Sequence, residues 1–481
     1  MRRTKIVATL GPATDSPEVI DDLVAAGIDV VRLNFSHGSY DEQKRRADMV
    51  RASGKKQGRV IGVLVDLQGP KIRTERFLEG KVQLTKGDKF ILDVDMDPQA
   101  GTQDAVGITY KSLPNDVKPG NTLLLDDGRM VLEVEKVEGA KIHCIVAQTG
   151  LLSDKKGINL LGGGLSAPAL TAKDKEDIIS AARIQADYVA VSFPNSAADI
   201  LQARKLLRDA GGYGGIVAKI ERADALKVID EIIEASDVIM VARGDLGVEV
   251  GDAELPAIQK DLIARARAKD RVVITATQMM ESMIENPIPT RAEVFDVANA
   301  VHDGTDAVML SGETAAGKYP VKVVEAMSRI CESAEQHPRA KISDHRMALT
   351  FGRVDEAIAM ATMYTANHLA VDGIAALTES GATVLWMSRI STGIPIYALT
   401  RHEQTRRKVT LYRGVYPTSI DFEKVGPYNM SSKVAILLEE KGIVKDGNRI
   451  IITRGDMLGD EGGGTNAMKV ITIGNVKDSE D

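Results

Sequence analysis

A lysine and two carboxylates near the middle of the chain have the spacing of a chemical site. Residues 216–221 read Ile-Val-Ala-Lys-Ile-Glu, and residues 238–245 read Val-Ile-Met-Val-Ala-Arg-Gly-Asp, so each stretch is an apolar run that ends in charge. Lys219 and Glu221 are two residues apart and would therefore point to the same side of a strand. With Asp245 they could hold a divalent metal beside a cation, which suits chemistry on an anionic substrate. The alternative is a surface ion pair, the commonest role of an isolated lysine–glutamate pair.

The composition is that of an ordinary globular protein, with 481 residues of which 44% are hydrophobic and 27% are charged. This length predicts about three domains. The 61 basic and 68 acidic residues give a net charge of −7, so no basic excess indicates a nucleic-acid partner. No apolar run approaches the roughly 20 residues that span a membrane. The two cysteines, Cys144 and Cys331, exclude a disulfide framework and favour a reducing, cytoplasmic location.

Buried strands that could position these residues recur with a regular rhythm. Three apolar runs, at residues 4–10, 29–35 and 60–66, alternate with helical patterns before residue 70. Five more runs follow residue 171, and the total of eight βα units predicts a TIM barrel. A doubly wound sheet is the alternative architecture.

Polar residues follow most of these strands at their C-terminal ends, namely Asn34, Ser36, Asp66, Ser192, Lys219, Glu221, Asp245, Thr277, Ser311 and Glu313. In a TIM barrel these ends form one face, and active sites lie on that face. Polar ends repeated around a ring are hard to explain by stability alone. The repetition therefore favours a functional site over a surface ion pair.

The rhythm breaks twice along the chain. Residues 71–166 carry short alternating runs separated by turn signals, which predicts an all-β module inserted after the third strand, with Gly162, Gly163 and Gly164 as a hinge or linker. After about residue 345, alternating strands and helices predict a third domain with a mainly parallel sheet. Its loops at residues 378–383 and 459–466 could bind phosphate, and an ordinary capped turn is the alternative for each.

Six ordered motifs resemble those of the pyruvate kinase family, and they lie at residues 32–38, 69–74, 219–221, 240–247, 276–283 and 309–314. The resemblance covers nearly the whole chain and looks most like the bacterial forms. It implies a barrel domain over residues 1–69 and 167–345, a β-barrel lid over 70–166 and a C-terminal α/β effector domain over 346–481. It also implies a homotetramer that transfers a phosphoryl group from phosphoenolpyruvate to ADP and then protonates the enolate to pyruvate.

The resemblance implies roles for the residues at the strand ends. Glu221 and Asp245 would hold Mg²⁺ or Mn²⁺, since such ions prefer hard oxygen ligands. Lys219 would neutralise charge on the moving phosphoryl group and the enolate. Arg32 would grip phosphate, and Thr277 would bind the substrate carboxylate and orient a water that donates a proton.

Further binding residues follow from the same resemblance. Gly244 would let the backbone approach the substrate carboxylate, beside Asp245. The residues expected near the nucleotide are Asn34, His37, Arg73 and Lys173. For His37 a hydrogen-bonded structural role is the alternative.

The chain departs from the family pattern at the monovalent-cation site. Many members bind K⁺ through residues that match Asn34, Ser36, Asp66 and the carbonyl of Leu67. Those members have glutamate where this chain has Lys71, and threonine-lysine where it has Leu67-Gln68. We expect the Lys71 ammonium to supply the positive charge, so that K⁺ is not required. The alternative is that Lys71 faces solvent at the hinge.

One loop of the third domain resembles the loop that binds an effector phosphate in allosteric members, through Thr378, Ser380, Gly381 and Thr383. A sugar phosphate or AMP is the expected effector. Two rival functions remain: a Mg²⁺-dependent, enolate-forming aldolase or lyase, and a catalytically inactive metabolite sensor. Arg73 and the inserted module argue against the first, because such a lyase needs neither a nucleotide nor a lid. The intact residues at the strand ends argue against the second.

Overall fold

Eight parallel strands close into a barrel in the computed structural model of the protein, which describes residues 1–341, 349–421, 430–455 and 464–474. Barrel strands 1 to 8 are Lys5–Leu10, Val30–Asn34, Gly62–Asp66, Tyr188–Val191, Gly215–Ile220, Val238–Ala242, Val272–Ala276 and Ala307–Leu310. Each pairs with the next, and strand 8 closes on strand 1 with Ala307 opposite Lys5. The predicted TIM barrel is therefore confirmed, and the doubly wound alternative is wrong.

Helices surround the barrel because most carry one apolar face that packs on the strands. The helices of this part of the chain are Pro17–Ala26, Tyr40–Lys56, Ala172–Ile184, Ala197–Asp209, Ala223–Lys227, Ile229–Ala235, Arg243–Val250, Leu255–Ala268, Arg291–Asp303, Gly312–Ala315 and Pro320–Ala334. Short 3₁₀ turns lie at Pro12–Thr14, Glu281–Ile284 and Pro338–Ala340. Side chains cap several of these helices. Thr171, for example, accepts a hydrogen bond from the Asp174 backbone N–H, while the Asp174 carboxylate accepts one from Thr171.

Aspartates repeat at the N-terminal end of the barrel. Asp29, Asp187, Asp237 and Asp306 precede strands 2, 4, 6 and 8, and they accept hydrogen bonds from the N–H groups of Ile6, Val63, Ile216 and Val273 at 2.9, 2.8, 2.7 and 2.9 Å. Each aspartate also pairs with an arginine, and the partners are Arg2, Arg407, Arg204 and Arg389. One aspartate for every two βα units thus ties adjacent strands together at this end.

The inserted module lies between barrel strands 3 and 4, and we call it the lid. Its six-stranded sheet has the order Ile158–Leu160, Thr122–Leu125, Met130–Glu138, Lys141–Val146, Lys89–Asp93, Ala105–Gly107, and a second sheet pairs Gly150–Ser153 with Lys81–Leu84. One short helix, Leu113–Asp116, interrupts the strands. Apolar side chains such as Phe90, Leu123 and Leu132 form one core, separate from that of the barrel.

The C-terminal part forms a five-stranded sheet in the order Val415–Ser419, Ile396–Thr400, Gly373–Leu377, Arg449–Arg454, Ala467–Thr472. The first four strands are parallel and the last is antiparallel, so the sheet is mainly parallel, as predicted. The accompanying helices are Val354–His368, Ala382–Arg389, Glu403–Lys408 and Met430–Glu440, with a 3₁₀ turn at Val409–Leu411. Across the described ranges, every helix is too short or too polar to cross a membrane.

Candidate active site

A cavity of about 520 Å³ opens between the C-terminal ends of the barrel strands and the lid. From the barrel side it is lined by Arg32, Asn34, Ser36, Asp66, Leu67, Ser192, Phe193, Lys219, Glu221, Arg222, Asp245 and Glu249. The lid side contributes Lys71, Arg73, Asp126, Asp127, Lys155 and Lys156, among others. Most of the polar strand ends identified in the sequence therefore converge on one cavity.

Lys219 is a buried cation held between two carboxylates. Its ammonium lies 2.9 Å from Glu221 Oε1 and 3.3 Å from Asp66 Oδ1, and it donates a hydrogen bond to Ser192 Oγ at 2.8 Å. Burial lowers the pKa of Lys219, but the two carboxylates outweigh it and raise that pKa above its ordinary value. The side chain therefore keeps its proton and acts as a fixed positive charge.

Arg32 shares Asp66 with Lys219. The Arg32 Nε and Nη2 atoms each lie 2.7 Å from Asp66 Oδ2, and Nη1 donates to Thr9 Oγ1 at 3.2 Å. Burial raises the pKa of Asp66, but Lys219 and Arg32 outweigh it and hold that pKa below its usual range. One buried carboxylate thus orients two cations toward the cavity.

Glu221 and Asp245 are compensated less fully, because the effect of Lys219 on them does not outweigh that of burial. Burial raises the pKa of Glu221 to about 7, with Lys219 opposing and Asp245 adding to the rise. Burial also raises the pKa of Asp245, where Lys219 opposes and Asp127 and Glu249 add to the rise. A cation placed between Glu221 and Asp245 would offset the repulsion that each of these carboxylates meets from its acidic neighbours.

This pair fits a hard divalent cation. In the described part of the chain no group of three or more His, Cys, Asp or Glu side chains comes together to form a complete metal cage. Mg²⁺ does not need such a cage, because it is usually bound through one or two carboxylates, with waters and substrate oxygens filling the other positions. Glu221 Oε2 also accepts the Phe193 N–H at 2.9 Å, which fixes the orientation of that carboxylate.

Thr277 and Gly244 lie directly behind Asp245. The Gly244 N–H donates to Thr277 Oγ1 at 2.8 Å, and that hydroxyl donates to the Ala276 carbonyl at 2.6 Å. Thr277 and Gln278 both have positive φ, 67° and 53°, a conformation that costs non-glycine residues roughly 1–2 kcal/mol each. Arg243 supports this backbone by donating to the Thr277 carbonyl at 2.7 Å. Thr277 and Gly244 are therefore held rigidly, although neither lines the cavity itself.

The residues expected near a nucleotide form a cationic rim. Lys173 donates to the Phe35 carbonyl at 2.8 Å, and Asn34 Oδ1 accepts the Ser36 N–H at 3.0 Å. Burial lowers the pKa of His37, and so do the charges of Lys71, Arg73 and Arg32. Neither His37 nor Lys173 lines the cavity, and Lys173 also pairs with Asp177 at 2.5 Å. A rim of this charge suits the phosphates of a nucleotide.

The residues that match the K⁺ site lie together, but Lys71 is not bonded to them. The Leu67 carbonyl accepts a hydrogen bond from Ser192 Oγ at 2.8 Å. The Lys71 ammonium makes no hydrogen bond or ion pair with any residue that the structure describes. Burial lowers the pKa of Lys71, and the charges of Arg73 and Lys173 lower it further. Lys71 thus lines the cavity beside other cations, and its role as an internal cation stays a prediction.

The lid side chains that reach the cavity were not predicted from the sequence. Asp126 and Asp127 lie in the turn between lid strands Thr122–Leu125 and Met130–Glu138, and both have positive φ, 50° and 55°. Lys156 pairs with Asp126 at 2.8 Å, and the negative charge of Asp127 contributes to raising the pKa of Asp245. No periodicity in the sequence shows which edge of an inserted module faces the barrel. Only the adjacent charged pairs, Asp126-Asp127 and Lys155-Lys156, were a possible signal.

The expected effector loop leads into helix Ala382–Arg389. The Gly381 N–H donates to Thr378 Oγ1 at 2.9 Å, the Ala382 N–H donates to Ser380 Oγ at 3.4 Å, and Thr383 Oγ1 lies 2.8 Å from Thr465 Oγ1. Of the second predicted phosphate loop, residues 459–463 lie outside the described residues.

Comparison with known proteins agrees with this geometry. A family model described as "Pyruvate kinase, barrel domain" matches residues 1–324, and one described as "Pyruvate kinase, alpha/beta domain" matches residues 356–471. The chain belongs to the pyruvate kinase family. It is 56% identical to "Pyruvate kinase II" of Salmonella typhimurium over 477 residues, covering 98% of this chain and 99% of that protein. It is 54% identical to "Pyruvate kinase" of Haemophilus influenzae over 460 residues, covering 95% and 96%.

A solved structure of a pyruvate kinase from Cryptosporidium parvum is also similar, with a TM-score of 0.90 and 31% identity over 98% of this chain and 96% of that one. The predicted function is therefore confirmed at the level of the family, whose members are phosphotransferases. Neither the aldolase or lyase nor the inactive sensor finds support. Pyruvate kinases use phosphoenolpyruvate and ADP, generally with a divalent metal.

Proposed function

We propose that this chain transfers the phosphoryl group of phosphoenolpyruvate to ADP in the cavity between barrel and lid, through Lys219, Arg32, Thr277, Glu221 and Asp245. The observation that carries this proposal is the buried Lys219 ammonium 2.9 Å from Glu221, in a cavity that Asp245 also lines, with burial raising the pKa of both Glu221 and Asp245. That combination offers one fixed cation and a place for a second. It matches a substrate with a carboxylate and a phosphate.

A Mg²⁺ or Mn²⁺ ion held by Glu221 and Asp245 would supply Lewis-acid charge to the substrate oxygens. Lys219 and Arg32 then place two further positive charges where negative charge moves from phosphate to enolate. The P–O bond of phosphoenolpyruvate breaks as the ADP oxygen bonds to phosphorus. The electrons of the broken bond stay on the enolate oxygen, close to Lys219.

The enolate carbon then needs a proton, and Thr277, which contacts Gly244 next to Asp245, would orient the water that gives it. The Thr277 hydroxyl already donates to Ala276 and accepts from Gly244, which leaves a lone pair for a water rather than a proton to transfer. The raised pKa of Lys219 argues against that ammonium as the donor. Gly244 and Asp245 would bind the substrate carboxylate at the same position.

The cationic rim would hold the nucleotide through Asn34, His37, Arg73 and Lys173. We assign the floor of the cavity to a barrel domain at residues 1–69 and 167–345, closed by the lid at 70–166, which contributes Arg73 to the rim. Residues 346–481 would form the effector domain of a cytoplasmic homotetramer. An anion bound at Thr378, Ser380, Gly381 and Thr383, such as a sugar phosphate or AMP, would shift the tetramer toward its active state.

The test of the activity is direct. Supplied with phosphoenolpyruvate, ADP and Mg²⁺, the purified chain should produce pyruvate and ATP in equal amounts. Absence of turnover, with and without sugar phosphates, would contradict the proposal. For the effector loop, replacing Ser380 and Thr383 by aspartate should abolish activation and leave the unactivated rate in place, whereas unchanged activation curves would exclude the loop.

We also propose that activity does not require K⁺, because Lys71 supplies a cation at the cavity. The measurement compares turnover in K⁺ with turnover in a bulky organic cation at equal ionic strength. Similar rates are expected for the natural chain, and Lys71→Glu should become dependent on K⁺. Activity of the natural chain that vanishes in the organic cation would contradict the proposal.

A further inference from the structure

The lid is joined to the barrel by two crossings of the chain. At the first crossing, the Gly69 N–H donates to the buried Asp174 carboxylate at 3.0 Å. The second crossing runs through residues 159–167, which we call the return segment. Gly162, Gly163 and Gly164 in this segment all have positive φ, at 84°, 82° and 108°. Glycine adopts this conformation without strain, so the segment can change direction easily unless side chains hold it.

Arg222 holds the end of the return segment. This arginine is only 3% exposed, and its Nη1 donates to the carbonyls of Leu165 at 3.3 Å and Ala167 at 3.2 Å. The same nitrogen donates to Asn195 Oδ1 at 2.7 Å, and the guanidinium lies 5.4 Å from the centre of the Phe193 ring. A buried guanidinium whose bonds go to backbone carbonyls fixes the position of that backbone.

Two acidic residues hold the start of the segment. The Asp224 carboxylate accepts a hydrogen bond from the Gly164 N–H. The Glu249 carbonyl accepts the Gly162 N–H at 3.0 Å, and the Glu249 carboxylate accepts the Ala223 N–H at 2.8 Å and a bond from the Asn159 side chain. The bonds from Arg222, Asp224 and Glu249 to the return segment therefore come from the two barrel loops that follow strands 5 and 6.

Those two loops are also the ones that carry Glu221 and Asp245. Arg222 follows Glu221 directly, and Glu249 lies one helical turn after Asp245 in helix Arg243–Val250. Phe193, which packs on Arg222, donates its N–H to the Glu221 carboxylate. The lid is therefore anchored to the backbone that positions the two candidate metal ligands.

We propose that Arg222 is a positioning residue: it docks the return segment onto the loop of Glu221 and so sets where the lid stands over the cavity. Asp224 and Glu249 complete this anchor. The proposal rests on the function proposed above, in which phosphoenolpyruvate binds the barrel floor and the nucleotide lies between floor and lid. Loss of the anchor should therefore weaken ADP binding more than phosphoenolpyruvate binding.

The first test replaces Arg222 by methionine and follows amide hydrogen exchange in the intact protein. We expect exchange in residues 159–167 to accelerate by about tenfold or more, since the segment loses its buried donors. The KM for ADP should rise by about tenfold while the KM for phosphoenolpyruvate changes by less than about twofold. Arg222→Lys should be intermediate, because an ammonium keeps the charge without the forked geometry.

Arg204→Met is the matched control. Arg204 also bonds a backbone carbonyl and a side-chain oxygen, those of Ala235 and Asp237, but at the opposite end of the barrel. It should leave both the exchange in residues 159–167 and the ratio of the two KM values unchanged. If Arg222→Met leaves them unchanged as well, the proposal is wrong.

A second pair of variants covers the case in which Arg222→Met does not fold. Gly162→Ala and Gly163→Ala introduce the same left-handed strain, but a Cβ at Gly163 would lie 2.6 Å from Asp224 Oδ2, whereas a Cβ at Gly162 meets nothing within 4 Å. Gly163→Ala should therefore raise the KM for ADP and the exchange rate several-fold more than Gly162→Ala. Equal effects of the two substitutions on the KM for ADP and on the exchange rate would contradict the proposed anchoring of the return segment. Such a result would leave the proposed activity intact, because turnover of the natural chain tests that separately.

Discussion

The two ends of the barrel place the same residue types in opposite circumstances. At the N-terminal end, the Asp306 carboxylate receives the N–H groups of Val273 at 2.9 Å and Arg413 at 3.1 Å and pairs with Arg389, and both members of that pair are fully buried. At the C-terminal end, Glu221 is paired with Lys219, but burial and the nearby Asp245 raise its pKa. Asp306 at the first end is satisfied by the protein, whereas Glu221 and Asp245 at the second end lie close enough for Asp245 to repel Glu221.

Two buried lysines reverse this contrast, since carboxylates stabilise the lysine at the C-terminal end and burial destabilises the one at the N-terminal end. Lys5 begins barrel strand 1, donates to the Val415 carbonyl at 2.6 Å and lies 4.3 Å above the Tyr416 ring. Burial lowers the pKa of Lys5 to about 8, while carboxylates raise the pKa of Lys219. The repulsion between carboxylates at the C-terminal end lowers the stability of the fold in favour of ligand binding. The ion pairs at the N-terminal end supply the stability that permits this loss.

The largest expected effect is at the C-terminal end. Lys219→Met should lower the rate of pyruvate formation by about 10³-fold or more, because no other group replaces its charge between Asp66 and Glu221. The rate is measured with saturating phosphoenolpyruvate and ADP, and circular dichroism confirms that the variant is folded. A loss smaller than about tenfold would show that the fixed charge of Lys219 is not the basis of catalysis.

The next effect is at the N-terminal end. Arg389→Met leaves the Asp306 carboxylate buried without its cation, which should cost about 3–5 kcal/mol of stability. We expect the thermal unfolding midpoint to fall by several degrees while the turnover rate at 25 °C changes less than about twofold. Lys205→Met removes an exposed ion pair with Asp209 and serves as the control, with no measurable shift expected. A midpoint for Arg389→Met equal to that of the control would contradict the contrast.

The smallest effect is a pH dependence of stability at Lys5. In the unfolded chain this lysine keeps its proton to near pH 10.5, whereas in the folded chain its pKa is about 8. Between these values the unfolded state binds more protons, so stability rises with pH. Relative to Lys5→Met, the natural chain should gain roughly 2 kcal/mol between about pH 7.5 and about pH 9.5 in urea unfolding. A gain as pH falls would have the wrong sign.

Much of the fold could be predicted from sequence because each barrel strand is a short apolar run followed by polar residues. Lys219, Glu221 and Asp245 were found for the same reason, since the position of a residue at a strand end decides which face it reaches. The break in rhythm at residue 71 likewise revealed the lid, because strand periodicity differs from that of the βα units.

The rest depends on contacts between distant segments. The aspartate before every second strand is visible in the sequence, but its meaning requires the strand register and arginines such as Arg389 and Arg407, which come from the C-terminal part of the chain. The approach of Asp127 to Asp245 depends on how the lid stands over the barrel. The position of Lys71 among other cations, rather than beside Asp66, depends on the backbone path at the first crossing.

The most direct test of the contrast exchanges one carboxylate for its isosteric amide at each end. In Glu221→Gln and Asp306→Asn, the turnover rate and the thermal unfolding midpoint are measured side by side. We expect Glu221→Gln to lower the turnover rate by about 10³-fold and to leave the unfolding midpoint unchanged or higher. We expect Asp306→Asn to lower the unfolding midpoint by several degrees and to keep a turnover rate within about twofold of that of the natural chain. Similar losses of rate and of stability in both variants would contradict the division of the barrel into a reactive and a stabilising end.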